Sequence, residues 1–226
     1  MSFWADQSRG STLLTFDPVR TTRKSNRPSN QHARRRALSL AVSAALLGAV
    51  AVDVPAQTFP PVVQLSGLDG SNGFKLDGEA AGDRSGYSVA AAGDINGDGL
   101  DDLIVGALYA DPNGDRSGRS YVVFGRSTGF TSPLLLSALN GTNGFKLDGE
   151  AALDRSGFSV AAAGDINGDG LGDLIAGAPR ADPNGADSGR SYVVFGKTGG
   201  FASPLQLSNL DGTNGFKLDG EAALDR

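Results

Sequence analysis

The sequence contains no cysteine, and its single histidine, His32, lies near the N-terminus. Thiolate and imidazole groups are therefore absent from residues 33–226. That absence excludes disulfides, zinc sites built on Cys or His, and Cys- or His-based nucleophilic catalysis there. The chain also lacks a Gly-x-x-x-x-Gly-Lys phosphate-binding loop. We expect no catalytic residues in this chain and no enzymatic activity.

Positive charge is scarce beyond the N-terminal region. Residues 57–226 carry 12 Lys and Arg against 22 Asp and Glu, a formal net charge of −10. Nucleic-acid binding depends on neutralising phosphates with basic side chains, so this charge balance predicts no nucleic-acid partner. An acidic surface instead attracts cations.

A single long apolar run, residues 37–52, follows the basic triplet at residues 34–36 and precedes Val54-Pro-Ala56. Its 16 residues are fewer than the roughly 20 that a membrane-spanning helix needs. We interpret residues 1–56 as a basic leader with a secretory signal peptide that is cleaved before Gln57. A retained membrane anchor is the alternative. The mature protein is expected to be secreted or held at the cell surface, without a membrane span.

One nine-residue loop occurs twice: Asp94-Ile-Asn-Gly-Asp-Gly-Leu-Asp-Asp102 returns 71 positions later as Asp165-Ile-Asn-Gly-Asp-Gly-Leu-Gly-Asp173. Oxygen-bearing side chains stand at loop positions 1, 3, 5 and 9, position 7 offers a backbone carbonyl, and glycine at position 6 permits a sharp turn. This pattern of hard oxygen donors predicts two Ca²⁺ sites. The predicted metal ligands are Asp94, Asn96, Asp98, Leu100 and Asp102 in the first loop, and Asp165, Asn167, Asp169, Leu171 and Asp173 in the second.

An Asp-Gly hairpin turn would explain the glycines of this loop without a metal. It would not explain four carboxylates within nine residues of the first loop, which repel one another unless a cation lies among them. An EF-hand is excluded, because position 12 is Val105 or Ala176 rather than Glu, and the flanking segments are short apolar runs typical of strands. The loop therefore joins two strands of a hairpin.

The chain is a tandem array. Residues 73–143 and 144–214 align without a gap and differ at 15 of 71 positions. The predicted organisation is residues 57–72 as the tail of a partial repeat, 73–143 as repeat 1, 144–214 as repeat 2, and 215–226 as the start of a truncated repeat 3.

Four strand candidates recur in each unit, separated by Asp, Asn, Gly and Pro clusters. In the first unit they are residues 87–92, 102–107, 119–125 and 144–147. The segment Ser120 to Phe124 is apolar on both faces, so it needs cover on both sides, as neighbouring propeller blades provide. We predict an all-β protein with two complete four-stranded β-propeller blades and partial flanking units. A β-sandwich core is the alternative.

The residue pairs Phe124-Gly125 and Phe195-Gly196, together with Gly106-Ala107-Leu108 and Gly177-Ala178-Pro179 around the acidic loop, resemble the FG-GAP repeats of the integrin α-chain β-propeller, in a bacterial-type secreted form. The resemblance implies a seven-bladed propeller with calcium on one face and ligand binding on the other. The expected function is calcium-dependent cell adhesion or binding of a protein or polysaccharide ligand. The alternative is an accessory propeller attached to an enzyme domain encoded beyond residue 226.

Three charged residues precede the first strand candidate of each unit. They are Glu79, Asp83 and Arg84, which recur as Glu150, Asp154 and Arg155. They are interpreted as a solvated turn, with a salt bridge or an added calcium contact as the alternatives.

Overall fold

The computed structural model of the protein describes residues 61–224, so the predicted signal peptide lies outside the described residues. Within this range the chain forms eleven strands and three short 3₁₀ helices, which confirms the predicted all-β class. No helix between residues 61 and 224 has the length and hydrophobicity needed to cross a bilayer.

The strands are β1 (Leu76–Asp77), β2 (Ser88–Gly93), β3 (Asp102–Ala107), β4 (Arg119–Val123), β5 (Leu134–Leu135), β6 (Gly144–Asp148), β7 (Ser159–Gly164), β8 (Asp173–Ala178), β9 (Arg190–Val194), β10 (Leu205–Gln206) and β11 (Gly215–Asp219). The 3₁₀ helices are Leu65–Gly67, Leu136–Ala138 and Leu207–Asn209.

Two antiparallel four-stranded sheets correspond to the two repeats. The first blade has the order β2-β3-β4-β6, and the second has the order β7-β8-β9-β11. The strand pairs have the same register in both blades: Ile104 lies opposite Val122 in the first, and Ile175 opposite Val193 in the second. All four strand candidates of the unit are confirmed, with ends that differ from the prediction by at most two residues.

Successive blades are joined by short parallel strands that the sequence did not predict. β10, which lies between β9 and β11 in the chain, pairs in parallel with β6 at the outer edge of the first blade. β1 and β5 form the equivalent pair one repeat earlier. Each blade therefore takes its fourth strand from the start of the next repeat, and the outer edge of the first blade is extended by the end of that repeat.

Apolar layers cover both faces of the first blade. One layer lies between the two blades, and the other lies between the first blade and the segments around β1 and β5. Tyr121, Val122 and Val123 are at most 1% exposed, which confirms that β4 is covered on both sides. The layer between the blades includes Ile104, Phe145, Leu147, Leu174, Tyr192 and Val194.

Such cover is missing from the outward face of the second blade at Leu218 and, on the first blade, from the outward face of β2 at Val89. Leu147 is fully buried, whereas Leu218, its equivalent one repeat later, is 50% exposed. On the opposite side Val160 is 8% exposed and its equivalent Val89 is 65% exposed. The described residues thus form an open row of blades, and each end exposes an apolar side chain whose equivalent in the other repeat is buried.

Candidate functional site

The two acidic loops join β2 to β3 and β7 to β8, at the same end of their blades. The sharp turn that the sequence predicts at loop position 6 is present: Gly99 and Gly170 have φ of +84° and +89°. A side chain with a Cβ is strained in this left-handed region, so glycine allows the backbone to curl around the carboxylates.

Backbone amides of the loop converge on its first carboxylate. Asp94 Oδ1 accepts hydrogen bonds from the N–H groups of Gly97 and Asp98, at 2.7 and 3.1 Å, and its Oδ2 accepts one from Gly99 at 2.8 Å. Asn96 Oδ1 accepts from the Asp98 N–H at 2.8 Å. Asp165 in the second loop accepts the equivalent three bonds at 2.8 to 3.0 Å. The two loops therefore hold their side chains in the same arrangement.

The ninth residue of each loop is buried and tied to a distant turn. Asp102 is 1% exposed; its Oδ2 accepts from the Ile95 N–H at 3.0 Å, and its Oδ1 from the Gly125 N–H at 2.7 Å. Asp173 is fully buried and makes the same two contacts, to Ile166 and Gly196. Burial, with a smaller contribution from the charges of Asp98 and Asp94, raises the pKa of Asp102 to about 6 against the opposing effect of these two hydrogen bonds.

The donors of both loops match the chemistry of a hard cation, since carboxylate, amide and carbonyl oxygens are the ligands that calcium takes. Most of the carboxylate oxygens accept one N–H bond, which leaves a lone pair on each of them. However, within residues 61–224 no three acidic or histidine side chains are grouped closely enough to hold a metal ion. The carboxylates of Asp102 and Asp173 instead accept hydrogen bonds from backbone amides.

The first loop also contacts the second repeat. The Asp94 and Ile95 carbonyls accept hydrogen bonds from Gly172 N–H at 2.8 Å and Lys197 N–H at 2.9 Å. Gly172 stands where the first repeat has Asp101, and a Cβ added to it would lie 3.2 Å from the Ala92 carbonyl oxygen and 3.3 Å from Asp94. A glycine at loop position 8 of repeat 2 thus permits close packing against the loop of repeat 1.

Comparison with known proteins identifies one family match in each of the two repeats. The family described as FG-GAP repeat matches residues 85–123 and 156–194, which contain three strands and the acidic loop of each blade. The chain is an FG-GAP repeat protein. It is similar to integrin alpha-PS2 of Drosophila melanogaster (34% identity over 170 residues), integrin alpha-5 of Xenopus laevis (32% over 186) and integrin alpha-IIb of Mus musculus (35% over 162). These alignments cover 69%, 74% and 67% of this chain but only 12%, 17% and 14% of the relatives, so the chain spans less than a fifth of their length.

Close backbone packing explains the glycines in the Phe-Gly and Gly-Ala elements of this FG-GAP protein. A Cβ on Gly125 would lie 2.6 Å from the carbonyl oxygen of Asp101, so only glycine lets the acidic loop close over this turn while Asp102 binds its N–H. A Cβ on Gly106 would lie 2.1 Å from the carbonyl oxygen of Gly157, where the two blades approach each other. The sequence indicated these elements by resemblance alone, and the structure supplies their steric cause.

A repeated ion-pair network lies in each FG-GAP blade. Glu79 accepts hydrogen bonds from Arg119 Nη1 at 2.7 Å, Tyr121 OH at 3.1 Å and Lys146 Nζ at 2.9 Å. Burial raises the pKa of Glu79, but the bonds and charges of Lys146 and Arg119 outweigh burial, and the net pKa is lowered. Glu150 contacts Arg190, Tyr192 and Lys217 in the same way.

The solvated turn expected at residues 79–84 is therefore wrong for Glu79, and the salt-bridge alternative is correct. It is also wrong for Asp83, whose side chain is buried at 9% exposure. Sequence reasoning could not choose between the alternatives because the cationic partners of Glu79 lie 40 and 67 positions further along the chain.

Proposed function

We propose that this protein is a secreted or cell-surface propeller segment that binds calcium on its hairpin loops and contributes to adhesion or to binding of a protein or polysaccharide ligand. The observation that carries the proposal is the duplicated acidic loop, conformationally the same in both FG-GAP blades. The similarity to integrin alpha chains supports a binding role rather than a catalytic one. The expected ligands are the ten residues identified from the sequence, with Leu100 and Leu171 acting through their carbonyls.

In this proposal calcium stabilises the blades and takes no part in chemistry. The cation would balance the acidic side chains of each loop, and Asp102 would transmit its binding to the Phe-Gly turn at Gly125. At free calcium ten times the dissociation constant, each site adds about 1.4 kcal/mol, so two sites add roughly 3 kcal/mol. That is a large share of the ~5–15 kcal/mol that holds a domain folded.

Calorimetric titration of the full chain with calcium tests the proposal. We expect about two ions per chain, with dissociation constants of roughly 10⁻⁴ to 10⁻³ M as in extracellular modules. The double variant Asp98→Ala, Asp169→Ala should abolish binding, whereas Asp101→Gly, which removes a carboxylate from loop position 8 alone, should leave the stoichiometry unchanged. Binding to the first loop should weaken as the pH falls through about 6, since a proton then competes for Asp102.

Thermal melts provide the independent readout. Calcium should raise the melting temperature relative to chelator, and magnesium should substitute poorly because it requires a tighter octahedral shell. Identical melts in calcium, magnesium and chelator, with no heat of binding, would show that the loops are hairpin turns without a metal. Export is tested separately, by N-terminal sequencing of the secreted chain, which should begin at Gln57.

A further inference from the structure

Three arginine side chains surround the ring of Tyr109. Their guanidinium carbons lie 4.5 Å (Arg84), 4.9 Å (Arg116) and 5.3 Å (Arg155) from the ring centroid. They are carried by the segments before β2, between β3 and β4, and between β6 and β7. Because neighbouring strands are antiparallel, these segments lie at the end of the blades opposite the acidic loops. We call Tyr109 and its three arginines, Arg84, Arg116 and Arg155, the arginine cluster.

Two backbone hydrogen bonds, one between the repeats and one within repeat 1, connect the segments that carry the cluster. The Arg155 N–H donates to the Arg116 carbonyl at 3.0 Å, and the Tyr109 N–H donates to the Asp83 carbonyl at 3.2 Å. These bonds fix the backbone from which the side chains of Tyr109, Arg116 and Arg155 extend. A site whose groups are fixed before a ligand arrives loses less entropy on binding.

Two of the three arginines in the cluster lack a carboxylate within ion-pair distance among the described residues. Among residues 61–224, no carboxylate lies within ion-pair distance of Arg84 or Arg155, and Arg116 reaches only the exposed Asp115, at 3.8 Å. The Arg155 Nε is buried without a hydrogen-bond partner in that range. Burial raises the pKa of the adjacent Asp154, whose Oδ2 accepts a bond from the Ala151 N–H instead.

The second repeat shows that the blade does not require this cluster. The residue equivalent to Tyr109 is Arg180, and the residue equivalent to Arg116 is the acidic Asp187, although the two blades have the same strands and register. The junction between repeats 1 and 2 therefore combines an aromatic ring and a third arginine that the fold itself does not need. Three like charges around one ring repel one another unless an anion is near.

We propose that the arginine cluster is a binding site for an oxyanion, a sulfate, phosphate or carboxylate group presented by a ligand. A guanidinium stacked on an aromatic face keeps its planar N–H edge available to donate paired hydrogen bonds to such a group. The buried Arg155 Nε would gain a partner, and the charges of Arg84 and Arg116 would be balanced. This site goes beyond the calcium proposal, because it lies at the other end of the blades and uses no acidic-loop residue.

Calorimetric titration of the full chain with sodium sulfate and with sodium phosphate, at ionic strength held constant with chloride, tests this site. We expect saturable binding of one anion per chain. Arg116→Asp, which installs the residue type of repeat 2, should weaken binding about tenfold or more, since a hydrogen bond to a charged group contributes about that much. Arg116→Lys, which keeps the charge but loses the planar fork, should give a smaller loss and remains informative if Arg116→Asp fails to fold.

The matched control is Arg126→Asp. It makes the same change in net charge at an arginine that stacks on Phe130, 5.5 Å from the ring centroid, in the segment between β4 and β5. Binding should be retained in this variant. Absence of anion binding by the folded chain, or equal weakening in Arg116→Asp and Arg126→Asp, would overturn the proposal. Repeating the titration in chelator and with Asp98→Ala, Asp169→Ala separates its outcome from that of the calcium experiment.

Discussion

Leu147 and Leu218 occupy equivalent positions in two identical Gly-Phe-Lys-Leu-Asp strands, β6 and β11, but only Leu147 lies between two blades. It is fully buried, whereas Leu218 is 50% exposed. Replacing each leucine with alanine in turn therefore removes the same atoms from the same local sequence in two different environments. The pair of variants measures how much packing between blades contributes to stability.

The expected cost differs between the two sites. A Leu→Ala change in a buried core costs about 2–5 kcal/mol, because it leaves a cavity as well as losing apolar burial. At Leu218 half of the side chain is already in water and the site opens to solvent, so about half of the 1.5–3 kcal/mol for full burial, or about 1 kcal/mol, is at stake. In a domain of 150–250 residues each kcal/mol shifts the melting temperature by roughly 2–4 °C.

Circular-dichroism melts in dilute solution with calcium provide the measurement. Leu147→Ala should lower the melting temperature by about 4–20 °C, and Leu218→Ala by about 2–4 °C. Equal losses at both positions would refute the reasoning, because they would mean that Leu218 is as well covered as Leu147 or that the layer between the blades contributes little.

Three further predictions follow from the same contacts. Glu79→Gln should lower the free energy of unfolding by about 1–2 kcal/mol near neutral pH. Because the folded-state pKa of Glu79 is lowered from 4.5, this loss should be complete above about pH 4.5 and should vanish as the pH falls below that value. Urea unfolding at several pH values would show the trend. Gly172→Asp should lower the melting temperature by crowding the first acidic loop, whereas Asp101→Gly should be nearly neutral; the reverse order would contradict the packing described for position 8. The full chain should self-associate through the exposed apolar side chains at the two ends of its row of blades, since Val89 and Leu218 are exposed where their equivalents Val160 and Leu147 are buried. A monodisperse monomer in light scattering would contradict this.

The main strands could be predicted from the sequence because each is a short apolar run bounded by glycine and acidic clusters. The parallel strands β5 and β10 could not, since two residues carry no periodicity and their partners lie 58 positions away. Pairing of this kind depends on the stacking of whole repeats. The sequence therefore predicted the blades but not the strands that join them.

The donors of the candidate calcium loops could be identified from the sequence because their spacing is local, and their role as metal ligands stays a prediction. The sequence did not reveal that Asp102 also binds the N–H of Gly125, 23 residues later, nor that burial raises its pKa. The arginine cluster was missed for a similar reason. Its members come from three separate segments, and only the stacking of two blades brings them around Tyr109.

The offset between sequence repeat and sheet has a genetic consequence. The first blade takes β2 to β4 from repeat 1, β6 from the opening residues of repeat 2 and the added strand β10 from its closing residues. Excision or insertion of one 71-residue period, wherever the breakpoint falls within the array, restores the same strand order across the new joint. Recombination between near-identical copies can therefore lengthen or shorten the array in whole blades without an intermediate that has lost its pairing. A deletion or insertion that removes or duplicates only some strands of the unit would leave an edge strand without its partner.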